Sequence, residues 1–116
     1  MTSPNHINFN ALIPKFDKRT CEIGDQTFDI SNVPMGVGVV FLRSQTDSMY
    51  TTADATIDAT LIMLNQKRDA NNWISRSWLE ERIPGSALIK VTNHVLHPFW
   101  NPPQKEGAET SLQKKD

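Results

Sequence analysis

The stretch from Thr52 to Arg68, TADATIDATLIMLNQKR, restricts the possible folds more than any other part of the chain. Read as a helix, it carries two apolar stripes. Ala53, Ile57, Leu61 and Leu64 recur at helical spacing on one side, and Ala55, Ala59, Ile62 and Met63 fall on the other. Polar seams divide them, with Asp54, Asp58 and Asn65 on one flank and Thr56, Thr60 and Lys67 on the other. A helix that is apolar on two sides has to be covered on both. The segment is therefore expected to be the central element of a small bundle.

Ahead of it, Gly24-Asp25 has the composition of a two-residue hairpin turn with glycine first, the type II′ preference. That register sets Cys21 opposite Phe28 and gathers Cys21, Ile23, Phe28 and Ile30 on one face. Two strands alone are marginal, so the ribbon must dock on the helices. Ser31-Asn32 before Val33-Pro34 resembles a helix start, and Val33, Val37, Val40, Phe41 and Ser44 would share its inner face. Gly36 and Gly38 weaken that helix, and a buried strand over Val37 to Leu42 competes with it; helix is the favoured reading.

After the central helix, residues 68–72 form a polar connection. Ser75 or Ser77 can cap a short helix bearing Trp78, Leu79 and Ile83, which Pro84-Gly85 breaks. Ser86 then caps a last helix with Leu88, Val91, Thr92 and Val95 in one stripe, widened by Ile89 and Leu96 and ended by Pro98. The predicted class is mainly α: a small helical bundle with an N-terminal β-hairpin docked on it. Residues 1–17 read as a mobile leader and 18–100 as one domain. Residues 101–116, whose only large apolar residue is Leu112, read as a disordered tail.

At 116 residues the chain can bury a core without staples. Its 12 Lys and Arg against 13 Asp and Glu, scattered along the sequence, leave no basic footprint for nucleic acid. The single cysteine excludes an internal disulfide and a Cys-rich zinc site. No apolar run approaches the roughly 18 residues of a membrane span, and the N-terminus lacks the pattern of a signal peptide. A soluble protein of the cytoplasm is expected, with no membrane partner.

Candidate chemistry is thin. His94 and His97 share a helical face but have no acidic or sulfur ligand beside them, and His6 lies in the leader. Cys21 falls on the apolar face of the hairpin, where a buried thiol is the ordinary outcome. Asp54 with Asp58, and Glu80 with Glu81, are carboxylate pairs that solvated helix faces explain. The MGVGVV glycines match no phosphate loop. No catalytic residue, cofactor or metal site is expected. Trp73, Trp78, Phe99 and Trp100 are more informative, since four large aromatics in the last third exceed what two short helices need. They are the candidate partner-binding residues; a purely structural role for them, with Trp78 in the core and Phe99-Trp100 fastening the chain end, stays open.

The succession of a hairpin leading into Ser31-Asn32-Val33-Pro34, helices, the SRSWLEERIP segment and a last helix before HPFW resembles the tail assembly chaperones of long-tailed bacteriophages. The likeness spans roughly Lys18 to Trp100 and is one of layout. It implies a small, mainly helical, non-catalytic protein that binds the tape measure protein during tail assembly, in the host cytoplasm, until tail tube subunits polymerise around it. Met35, Met49 and Met63 are adaptable side chains that suit such a role. The resemblance also implies a longer product made by ribosomal slippage near the stop codon, for which Lys114-Lys115 is the only lysine pair suitably placed. A homo-oligomer is compatible with this reading, while a structural virion or adaptor component and an enzyme of unrecognised type remain as alternatives.

Overall fold

The computed structural model describes residues 6–103. The leader's first five residues and the end of the tail from 104 on, including Leu112 and Lys114-Lys115, lie outside the described residues.

Two short strands, β1 (Thr20–Ile23) and β2 (Gln26–Asp29), pair antiparallel with Cys21 opposite Phe28, as the alternation of the sequence requires. Gly24 has φ +62°, and among the described residues no non-glycine residue has positive φ, the combination that a type II′ turn needs. Phe28 and Ile30 are fully buried, and Cys21 and Ile23 pack against the same core from its margin. The Phe28 ring meets Trp78 edge to face at 5.9 Å, and the Arg68 guanidinium lies 5.0 Å from its centre on another side. These contacts dock the ribbon on the helices.

Helix α1 spans Met35–Thr46, which settles the helix-or-strand alternative in favour of helix. It begins later than expected, with Pro34 in the capping position and no side-chain cap. The Ser31 side chain and the Asn32 backbone are both held elsewhere. The Ser31 hydroxyl accepts from the Arg19 backbone N–H at 2.9 Å and closes the open end of the hairpin. The Asn32 backbone pairs twice with the Gln66 side-chain amide, at 2.9 and 2.8 Å. Val37 and Phe41 are buried, as their shared face predicts.

Helix α2 (Thr52–Leu64) packs against α1 on one side and against α4 and α3 on others, the central position expected of its two stripes. Ala55, Ala59, Met63 and Leu64 are buried, and Leu61 and Ile62 pack at the edge of the core. Ala53, in the first turn, is exposed. Thr60, assigned to a polar seam, is buried; its hydroxyl donates to the Thr56 carbonyl at 2.8 Å and needs no other partner. Thr51 and Asp54 form a reciprocal capping box at the N-terminus. The helix ends at Leu64 and not at Arg68, because Asn65 and Gln66 turn their amides to neighbouring backbone. Asn65 accepts from Ile74 N–H at 2.9 Å and donates to the Ile74 carbonyl at 3.1 Å.

Ser75 caps α3 (Arg76–Arg82) by accepting from Trp78 N–H, and Leu79 is its buried residue. Helix α4 (Gly85–Trp100) starts from Pro84 and not from Ser86, and buries Thr92, Val95, Leu96 and Pro98. Ile89 is largely exposed, so the expected stripe is narrower than drawn. Pro98 does not stop the helix, which runs two residues past it. The ring removes the N–H that would have bonded the His94 carbonyl, and the Arg19 guanidinium donates to that carbonyl in its place.

Candidate functional site

Helix α1 is apolar from Met35 to Leu42, and among the described residues only one side of that run is covered. Val37 and Phe41 face α2, and Gly36 permits close approach there, since a Cβ at that position would lie 3.3 Å from Ile62 Cδ1. On the outer side Met35, Val39 and Leu42 follow one another at helical spacing and face solvent, with Met35 84% and Leu42 64% exposed. The last turn of α4 borders this strip. Phe99 stacks on Phe41 with ring centres 5.2 Å apart, and Trp100 meets Phe41 edge-on at 4.9 Å. Phe99 and Trp100 are themselves 4.7 Å apart. Between this aromatic wall and the α1 strip runs an open groove of about 600 Å³. Its remaining lining includes Gly38, Ser44, Gln45 and Thr52, and no lining residue is charged.

The four aromatics singled out by the sequence therefore lie in three places. Phe99 and Trp100 form the groove wall. Trp78 packs on Phe28 at the margin of the core, with the Arg82 guanidinium 4.2 Å from its ring centre. Trp73 is exposed beside a single 3-10 turn (Ala70–Asn72), and its indole N–H donates to the Arg68 carbonyl at 2.9 Å. Of the methionines, Met63 is buried whereas Met35 and Met49 stand in solvent. Met35, Val39 and Leu42 are the site residues that the sequence reading missed as a face. Their signal was present in MGVGVVFL, which is apolar well beyond the single stripe a covered surface helix requires.

The ionisable candidates are occupied individually. Burial raises the Cys21 thiol above its usual range, against a smaller opposing pull from Arg19, so its thiolate is disfavoured. Asp54 is held below the usual carboxylate range, chiefly by hydrogen bonds from the Thr51 hydroxyl and N–H. Asp58, its neighbour one turn on, instead accepts from the Tyr50 hydroxyl. Burial, reinforced by that bond, pushes the Tyr50 phenol up to about 12. Glu80 pairs with Arg76 at 3.1 Å and Glu81 with Arg82 at 3.3 Å. His94 and His97 are exposed, and among the described residues no group of three potential ligands could hold a metal ion. A second hollow of about 280 Å³ lies between α2, α3 and α4. The Thr60 and Thr92 hydroxyls lining it bond to their own helices, and Arg76 pairs with Glu80 at its rim.

No helix of the described residues is long and apolar enough to cross a membrane. No family model, curated protein or solved structure matches the chain.

Proposed function

We propose that this chain is a non-catalytic protein-binding module that holds an apolar, helix-forming segment of a client in the groove between α1 and the end of α4. The observation that carries the reading is the outer face of α1. Met35, Val39 and Leu42 stand exposed on the first two turns of the helix, an apolar run from Met35 to Leu42, beside a wall of Phe99 and Trp100. A contiguous apolar trough without charge fits an amphipathic helix laid along it, with methionine and tryptophan as adaptable and anchoring contacts. Within this reading, the layout resemblance points to a tail assembly chaperone of a long-tailed bacteriophage whose client is the tape measure protein. A long helical client that must be kept from aggregating is the kind of partner such a groove suits.

A fluorescein-labelled amphipathic peptide with leucines at i, i+3, i+4 and i+7 serves as the probe. Fluorescence anisotropy should report saturable binding that Val39→Asp abolishes and that substitution of Trp73, remote from the groove, leaves intact. Absence of saturable binding would end the groove reading. Mass spectrometry of mature particles from a phage encoding the chain separates a chaperone, absent from them, from a structural component, which is retained.

A further inference from the structure

The groove is not the only apolar surface that the described residues leave exposed. Another is the arm before the hairpin, where every residue from His6 to Ile13 is exposed. Ile7, Phe9, Leu12 and Ile13 are between 59% and 75% exposed. One turn of 3-10 helix (Phe9–Leu12) organises them, capped by Asn8, whose side chain accepts from Asn10 N–H at 2.9 Å. In that geometry residues three apart eclipse, so Phe9 and Leu12 stack into a ridge with Ile13 beside it. Isolated exposed apolar residues need no explanation, whereas a preformed ridge of them that stays largely exposed does. None of the residues lining the groove belongs to the arm, so the arm does not cover its own chain's groove.

The arm joins the body at the end of α4 that carries the groove wall. Arg19 is bonded to the His94 carbonyl, and Phe16 lines a cleft with His97, Pro98 and Asn101. The arm thus leaves the body beside the turn of α4 that carries the groove wall. A two-fold axis near that end brings both arms to both grooves at once.

We propose that this chain forms a two-fold dimer in which the Ile7–Ile13 arm of each copy covers the α1–α4 groove of the other. The area argument requires the exchange to be reciprocal. At roughly 100 Å² of apolar surface per exposed side chain, four on the arm and four in the groove hide about 800 Å² per contact. That is the size of an incidental contact, while two together reach about 1,600 Å², the size of a stable specific interface. A net charge of −1 puts little repulsion between copies. The dimer stores the groove covered, and a client helix must displace the arm to enter. It shares the groove with the proposed function but stands on the arm.

Sedimentation velocity of the full chain across the micromolar range is the test, with Leu12→Asp in the arm and Val39→Asp in the groove. Both positions are solvent-facing in the monomer, so circular dichroism should show unchanged helix content. The expected result is a dimer for the wild type and a dissociation constant raised by about a hundredfold or more in each variant, since each buries a carboxylate. A wild type that stays monomeric overturns the proposal. So does a Leu12→Asp protein that still dimerises, which would mean groove against groove, or a Val39→Asp protein that does, which would mean arm against arm. The labelled peptide separates this inference from the proposed function. Leu12→Asp leaves the groove open and should bind the peptide more tightly than the wild type. Peptide binding by a monomeric wild type removes only the dimer, and a dimer whose Leu12→Asp variant ignores the peptide removes only the client.

Discussion

Pro98 and Arg19 should be energetically coupled across 79 positions of sequence, because one creates the vacancy that the other fills. A proline inside a helix deletes one N–H donor and pushes the carbonyl four residues back away from the axis. Here that carbonyl belongs to His94, and it receives the Arg19 guanidinium. Replacing Arg19 by Met keeps the aliphatic stem and removes the donor. A hydrogen bond from a charged donor contributes about 1.5 to 3 kcal/mol, and partial solvent access places this one near the lower end. The other guanidinium nitrogen, Nη1, is buried without a partner, which offsets part of the gain. The expected cost of Arg19→Met is therefore about 1 to 2 kcal/mol in urea denaturation. In a Pro98→Ala background residue 98 again has an N–H for His94, so the same substitution should cost about 0.5 kcal/mol. The coupling energy from the double-mutant cycle should be about 1 kcal/mol. An equal cost of Arg19→Met in both backgrounds would refute the reasoning and leave Arg19 as a packing residue only.

The central helix supplies another test: Leu61→Ala and Ile62→Ala should each cost about 2 kcal/mol or more in denaturant melts, since both side chains pack against the core. A nearly neutral result for either would show that its side of α2 has no cover. Tyr50 makes stability depend on alkaline pH. Its phenol stays protonated to about 12 when folded but titrates near 10 when unfolded, so its contribution is complete below about pH 10 and is lost as pH rises through 12. Near-UV absorbance of the folded protein should show this late ionisation, and Asp58→Asn, which leaves the phenol buried but removes the charge, should bring it earlier.

Patterns that repeat along the chain were legible in the sequence. The alternation through Cys21 and Phe28 fixed the hairpin register, and the double stripe of Thr52–Leu64 fixed the central helix. What was misread lies at the helix ends, where short polar side chains choose between local and distant backbone. Ser31 is a good cap by type, but the hairpin claims its hydroxyl, and Gln66 pins the Asn32 backbone ahead of the helix. Asn65 would extend α2 by pattern, yet its amide holds Ile74. Pro98 reads as a stop because no local rule predicts a donor arriving from residue 19. In each case a partner far away in sequence decided the outcome. The candidate site was only half legible for a related reason. Phe99 and Trp100 stand out by residue type, whereas Met35, Val39 and Leu42 become a site only once the other side of α1 is known to be the covered one.

The strand reading of Val37 to Leu42 and the open groove have the same physical origin. The run is apolar at almost every position, so it shows neither a clean 3.6-residue nor a clean two-residue period. Such runs normally belong to elements buried on all sides. Helix formation nevertheless wins in spite of Gly36 and Gly38, whose combined propensity cost is about 2 kcal/mol. Burying Val37 and Phe41 against α2 outweighs that cost, because each fully buried side chain contributes about 1.5 to 3 kcal/mol. The glycines also have uses in place. At Gly36 a Cβ would crowd Ile62, and at Gly38 it would project to within 3.9 Å of Phe99 and narrow the groove. A sequence selected only for monomer stability would replace Met35, Val39 and Leu42 by polar helix formers at no loss of core and would place Ala at Gly38. Keeping an apolar outer face on the first two turns of α1 is favourable only if that face is covered for part of the protein's life. The arm of a second copy and the helix of a client are the two covers proposed for it, and on that proposal they compete for the same surface.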